Sequence, residues 1–208
     1  DLMDPKAPQA IFDEVTRAAV EVEFLVNNAG FGTTGSFVDL ELEKELGEVQ
    51  VNVTALVGLT RLFLPGMVKR GRGRVLNIGS TAGFQAGPFM ATYYATKAFV
   101  NSFTEALWHE LKGTGVTATV SCPGATATEF AAVAGNDKTR LFKMQAPMSP
   151  EQVARAGYRA MHAGKVITVH GLKNKVLAWS VRFTPRPVVR AITAAANQDP
   201  NAQKQLKA

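Results

Sequence analysis

Apolar and polar positions follow two alternating rhythms along this chain. Residues 9–20 carry apolar side chains at helical spacing. "EFLVNN" (23–28) is a short apolar run that closes on polar residues, the pattern of a buried strand. The stretch "DLELEKELGEVQVNVTALVGLTRLFLPGMVK" predicts a long helix, with Asp39 as N-cap and acids in its first turns. "RGRGR" (70–74) is a turn and "RVLNIGS" (74–80) a second strand. Residues 91–112 predict another long helix, stopped at Gly113. "VTATVSCPG" (116–124) is a third strand, broken by proline and glycine. "SPEQVARAGYRAMHAG" (149–164) predicts a capped helix with proline at its first position, and "KVITVHG" (165–171) the last strand. Two short basic helices follow, separated by "TPRP" (184–187). Strand and helix alternate with no repeat, linker or low-complexity segment. Residues 1–208 therefore predict a single α/β domain with a largely parallel sheet.

Composition narrows this further. Hydrophobic residues make up 46% and charged residues 19%, a globular balance that excludes a disordered or collagen-like chain. Cys122 is the single cysteine, so no internal disulfide can form and a reducing, cytoplasmic setting is expected. No continuous apolar run reaches the roughly 18 residues of a membrane span, and "DLMDPKAPQA" lacks the pattern of a signal peptide. The net charge of +6 is concentrated at the end of the chain. From Lys165 onward eight Lys and Arg face one acid, Asp199, so a near-neutral body carries a basic tail over 172–208. That distribution, without interleaved aromatics of the single-strand-binding kind, argues against a nucleic-acid partner.

"ATYYATKAF" (91–99) sets two tyrosines before one lysine. Tyr93 and Lys97 are four apart, so on a helix they share a face and can reach a common point. Tyr94 is rotated by about 100° and has no matching lysine. A phenol titrates near pH 10, and a nearby ammonium favours its ionised form, so the spacing selects Tyr93 as an acid–base group. Ser80 ends a strand thirteen residues earlier. "NNAG" (27–30), "NIGS" (77–80) and "CPG" (122–124) also end strands, and ligands of α/β sheets sit at that edge.

With "NNAG", the "NVT" at Asn52, "GS" at Ser80, "YYATK" and "PG" followed by Thr128, the chain resembles the NAD(P)-dependent short-chain dehydrogenases/reductases. The likeness runs from Asp1 to about Phe130 and is general beyond residue 145. It implies a Rossmann-like, doubly wound, three-layer parallel sheet and an oxidoreductase that interconverts a carbonyl and a secondary alcohol. Tyr93 would be the general acid or base, and Lys97 would lower its pKa and hold the nicotinamide ribose. Ser80 would hold the substrate oxygen, and Asn52 would anchor a proton-relaying water. Asn28, Ala29 and Gly30 would line the cofactor, with Asp1 and Leu2 at its adenine. Pro123, Gly124, Ala125, Thr126 and Thr128 would cradle the nicotinamide amide and pyrophosphate. NADP is the preferred cofactor by the type of reductase resembled, NAD the alternative. Assembly as a homodimer or homotetramer through the two long helices (about 40–69 and 91–112) is implied as well.

The family's glycine-rich pyrophosphate loop and first strands precede the matching segment, and the sequence has no initiator methionine, so a longer N-terminus is expected. "GFGTTG" (30–35) fits G-x-G-x-x-G but does not open a helix, so it is not expected to hold pyrophosphate. "KRGRGR" (69–74) is read as a solvated turn, and His109, His162 and His170 as structural or surface residues with no metal site. Phe84, Gln85, Phe89 and Met90 lie between Ser80 and Tyr93. They either face an apolar, ketoacyl-like or hydroxysteroid-like substrate or belong to the core. Leu172, Val176, Trp179 and Phe183 form a stripe in the basic tail, read as a lid or subunit contact in preference to a membrane-surface element. The competing function is a non-catalytic scaffold or regulatory subunit on the same fold.

Overall fold

Strand β2 (Gly73–Ile78) is buried on both sides, which makes the sheet a middle layer. A computed structural model describes residues 1–135, 139 and 147–198. In it β1 (Phe24–Asn27), β2, β3 (Val116–Cys122) and β4 (Ile167–Val169) form one parallel sheet in that order. Parallel neighbours need a crossover, and the helices between strands supply it. On one face Val75 packs with Ala118 and Val116 against Leu59, Phe63 and Met67 of helix α3 (Leu56–Arg70). Helix α1 (Ala7–Arg17) covers this cluster with Phe12, whose ring meets Phe63 edge-on. On the same face Val120 and Cys122 pack against Val100 of helix α4 (Ala91–Glu110). The opposite face presents Leu76 and Ser121 to helix α6 (Pro150–His162), where Gly157 lets the helix approach closely. The result is the α/β fold with a parallel sheet that the chain's two rhythms predict, in the three layers that the resemblance implies. Among the described residues β1 pairs only with β2, and its Phe24 and Val26 remain 42% and 48% exposed.

The helix expected from Asp39 starts later and is not uniform. Phe37–Asp39 is a 3₁₀ turn, Leu40 is extended, and helix α2 (Leu42–Val49) begins after Glu41 with no side-chain cap. Asp39 ends the tight turn, its amide bonded to Ser36 O at 2.9 Å, and stands two residues before Glu41, which takes the N-cap position of α2. Residues Gln50–Ala55 then widen to a π-helix before α3. Leu42–Arg70 as one 29-residue rod is long and apolar enough to cross a membrane by length and composition. Here Leu56, Leu59, Phe63 and Met67 on it are core residues. Helix α4 ends before Gly113, whose φ of +81° suits glycine. Ser149 and Gln152 form the complete capping box of α6.

Helix α5 (Phe130–Ala134) and the two basic helices α7 (Leu172–Ser180) and α8 (Arg186–Asn197) complete the described elements. Helix α8 starts at Arg186, so Pro187 sits in its first turn, where a missing amide is harmless, and does not precede it. Tail residues 199–208 lie outside the described residues.

Candidate active site

At the carboxyl edge of the sheet a cavity of about 1220 Å³ is lined by Ser80, Tyr93 and Lys97, together with Asn28 and Gly30 after β1. Each side chain is held from a different element. Lys97 is 6% exposed, and its Nζ donates to Ile78 O at 2.8 Å, tying α4 to the end of β2. Tyr93, one turn earlier, is hydrogen-bonded to Ser80, and Lys97 Nζ lies 5.8 Å from the centre of its ring. Ser80 is fixed twice, its Oγ accepting from Ala82 N at 3.0 Å and its carbonyl accepting from Asn101 Nδ2 at 3.2 Å. Asn52, on the π-helical segment, accepts from Phe31 N at 3.1 Å and donates to Phe31 O at 2.9 Å and to Thr96 Oγ1 at 3.1 Å. It therefore clamps the loop after β1 to α4 behind Lys97. Tyr93 and Lys97, chosen by their spacing, thus lie with Ser80 and with Asn52, which the family resemblance added.

Electrostatics differ from the simple expectation for Tyr93. Burial brings the Lys97 ammonium down to about 8, with Cys122 and Glu48 opposing. Burial also holds the Tyr93 phenol well above its ordinary value, against the Ser80 hydrogen bond. Lys97, brought down to about 8, has lost its charge before the raised Tyr93 phenol titrates, and so does not pull that phenol down. In this chain Tyr93 is a phenol at neutral pH, the proton-donating form. Cys122, buried and free, is pushed up to about 12 by burial and is no nucleophile.

Two glycines of "GFGTTG", Gly30 and Gly32, face the site residues, and Gly35 meets Leu40. A Cβ on Gly30 would fall 2.9 Å from Asn52 Oδ1 and 3.4 Å from Lys97 Nζ, and one on Gly32 would meet the Tyr93 ring at 2.9 Å. No helix opens at these residues. Pro123, Gly124, Ala125, Thr126 and Thr128 line the cavity beyond β3. Thr126 Oγ1 donates to Gly124 O at 3.2 Å, and Thr128 Oγ1 accepts from Phe130 N at 3.3 Å. Gln85 and Met90 also line it, whereas Phe84 packs into the core beside Val100. Phe89 holds a left-handed backbone (φ +67°), its carbonyl accepting from Gly35 N at 2.9 Å. Asp1, Leu2 and Ala29 are not part of the lining. Asp1 Oδ1 accepts from Met3 N at 2.9 Å, and Leu2 packs on the cluster beneath α3.

A family model described as short chain dehydrogenase matches residues 1–139. The chain belongs to the short-chain dehydrogenase family. Over 160 residues it is 37% identical to sulfoacetaldehyde reductase 2 of Chromohalobacter salexigens, covering 74% of this chain and 64% of that protein. Over 161 residues it is 32% identical to the ketoacyl reductase HetN of a Nostoc species, covering 77% of this chain and 55% of that protein. It thus spans somewhat more than half the length of these curated relatives. Its fold matches a short-chain dehydrogenase from Sphingobium yanoikuyae in complex with NADPH at a TM-score of 0.74 and 29% identity, over 88% of this chain and 71% of that one.

Within this short-chain dehydrogenase chain several site-supporting residues escape sequence reasoning. Tyr94, the second tyrosine, is 4% exposed and donates to Asn197 Oδ1 at 3.1 Å, while Asn197 Nδ2 donates to Pro88 O at 3.0 Å. It fastens the end of α8 to the loop before α4. Asn101, one turn beyond Lys97, holds the Ser80 carbonyl and accepts from the Cys122 thiol at 3.3 Å. His170 and Ser121 form a buried 2.7 Å hydrogen bond across β4 and β3, and burial with nearby Lys175 lowers the imidazole's pKa. These partners stand 103, 21 and 49 residues apart, beyond any local pattern.

Proposed function

We propose that this chain carries the catalytic edge of an oxidoreductase that interconverts a carbonyl and a secondary alcohol with a nicotinamide cofactor. The observation that carries this reading is the convergence of Ser80, Tyr93 and Lys97 on one cavity, with Asn52 clamped behind Lys97. A scaffold would gain nothing from a lysine 6% exposed at the cavity wall. NADP is the preferred cofactor and NAD the alternative, a choice favoured by the NADPH held by the Sphingobium protein.

The residues present fit the nicotinamide end of such a cofactor. Gly30 leaves room for close approach beside Lys97. Lys97 and Tyr93 would hold the ribose, Asn28 and Gly30 would line it, and Gly124 and Thr126 would hold the amide. The bound cofactor would supply or accept the hydride. Among the described residues no glycine-rich turn opens a helix after a strand, so the fit covers that end only.

In reduction Ser80 Oγ would donate to the substrate oxygen and orient it. Tyr93 Oη, a phenol at neutral pH, would release its proton to that oxygen as negative charge develops. The Lys97 ammonium would stabilise the phenolate left behind, and protons would return through the Asn52 side of the site. Met90, Leu177, Val181 and Ile192 in the cavity wall suit an apolar, ketoacyl-like or hydroxysteroid-like substrate. The ketoacyl reductase among the relatives points the same way. Exposed Leu42, Leu46 and Val49 on α2 and Phe99 on α4 support assembly as a homodimer or homotetramer through the two long helices. Light scattering on the purified protein checks this, and a monomer mass contradicts it. The buried thiol of Cys122 fits a cytoplasmic setting. The function is tested by following NADPH oxidation with an apolar β-ketoester. Turnover faster with NADPH than with NADH is expected. Inertness toward apolar ketones with both cofactors, in protein that binds them, overturns the reading.

A further inference from the structure

Glu45 and Glu48 are the buried carboxylates among the described residues, 6% and 0% exposed. Both lie on α2, one and two turns before Asn52, on the side that meets α4 and the loop after β1. Thr92 of α4 donates to Glu45, and Thr33 Oγ1 of the loop is within hydrogen-bonding reach of both Glu45 and, at 3.2 Å, Glu48 Oε2, with one proton to share between them. Asn52 continues the row with its bond to Thr96. The other oxygen of Glu48, Oε1, is fully buried and has no hydrogen-bond partner among the described residues.

An unpaired, fully buried carboxylate oxygen is costly, and a leucine or methionine would fill the same space without that cost. Glu48 lies between Glu45 and Asn52, whose bonds to Thr92 and Thr96 bracket Tyr93 on α4, and Asn52 Oδ1 and Lys97 Nζ both crowd Gly30. Around Glu48, Glu45 adds like charge from its own helix, Lys97 opposite charge from α4, and the loop only the Thr33 hydroxyl. Burial, with Glu45 assisting, raises the Glu48 carboxyl to about 8, while burial brings Lys97 down to about 8. Two opposite charges that are each disfavoured alone favour one another, so their titrations are coupled.

We propose that Glu48 is a positioning residue for Lys97, a buried acid that loses its proton to solvent as pH rises and, once ionised, keeps Lys97 an ammonium. Without it Lys97, already brought down to about 8 by burial, would lose its charge nearer neutral pH and Tyr93 its cationic neighbour. Its catalytic meaning rests on the oxidoreductase reading. The Glu48–Lys97 coupling does not.

The test is carbon NMR of protein labelled at lysine Cε and glutamate Cδ, followed through pH in the unaltered chain and in Glu48→Gln. Lys97 should titrate about one pH unit lower in Glu48→Gln, and Glu48→Asp should restore most of the difference. Glu48 itself should titrate far above the ordinary carboxylate range. The proposal is overturned if Lys97 titrates at the same pH with and without Glu48. Should Glu48→Gln not fold, Glu48 Cδ in the unaltered chain decides, and an ordinary carboxylate midpoint refutes the idea. Stability gives a further check on sign. A carboxyl raised to about 8 contributes stability below its ordinary 4.5, which is lost as pH rises through about 8. Glu48→Gln should lack that loss, and an identical pH profile contradicts the proposal. If Tyr93→Phe were fully active, the oxidoreductase reading would fall while the shift in Lys97 would still stand or fail independently.

Discussion

The carboxyl edge of the sheet and the C-terminal helices both wall the same cavity, yet they are built on opposite principles. At the edge, polar side chains are buried and interlocked. Asn27 Nδ2 donates to Asn77 Oδ1 at 2.8 Å and lies 3.1 Å from Thr60 Oγ1, and Asn77 Nδ2 donates to Thr104 Oγ1 at 2.9 Å. Asn27 and Asn77 are register partners on β1 and β2, so this ladder ties two strands to two helices directly beneath Lys97. The cap formed by α7 and α8 has no such ladder among the described residues. Leu172, Trp179, Phe183 and Ile192 on it are 63–77% exposed. Its described polar anchors to the body are Asn174 Nδ2 to His170 O at 2.8 Å and the Tyr94–Asn197–Pro88 clasp. A buried polar network admits one geometry because a misplaced member leaves others unsatisfied. An apolar, half-exposed cap tolerates substitution.

Breaking the edge should therefore cost most. Asn77→Ala removes two buried hydrogen bonds, to Asn27 and to Thr104, and is expected to lower stability by about 2 kcal/mol, read as a shifted urea midpoint at unchanged slope. A change below 1 kcal/mol, roughly the net worth of one hydrogen bond, would show the ladder to be incidental. Gly30→Ala places a methyl against Asn52 and Lys97 and should cost about 1–3 kcal/mol. A crystal structure of the variant should show Asn52 displaced, and an unmoved Asn52 at full stability would contradict the tight approach.

The cap should respond less. Tyr94→Phe removes the donor to Asn197 and should cost about 1 kcal/mol, with faster proteolysis confined to α8. His170 has its folded pKa below the ordinary 6.5. Its contribution is thus present above about 6.5 and is lost as pH falls through the folded value. Thermal melts should show a decline on mild acidification that His170→Gln reduces, and parallel profiles would refute this. Trp179→Ser, on an exposed turn of α7, should stay within about 0.5 kcal/mol. A larger loss would mean that the cap is packed more firmly than its exposure indicates.

The same contrast explains what was legible in the sequence. The strands, α4 and the capped α6 follow from local periodicity and cap chemistry, so their places were readable. Tyr93 and Lys97 were readable because helix geometry converts a spacing of four into one face. Asp39 misled because acids at 39, 41, 43 and 45 offer several starts, and the 3₁₀ turn that decides between them involves Ser36. Asn101, His170 and Asn197 were invisible as partners, since their bonds join segments far apart in sequence. Glu48 was hidden as one acid among several on a helix whose buried side only packing defines.

The central claim is that Tyr93 transfers the proton and its neighbour Tyr94 only holds the cap. Parallel kinetics of Tyr93→Phe and Tyr94→Phe, with cofactor binding measured separately, test it most directly. Tyr93→Phe should lose about 10²–10⁴-fold in kcat with cofactor affinity retained, while Tyr94→Phe should keep kcat and alter mainly KM. Equal losses in the two variants, or full activity in Tyr93→Phe, would contradict the assignment.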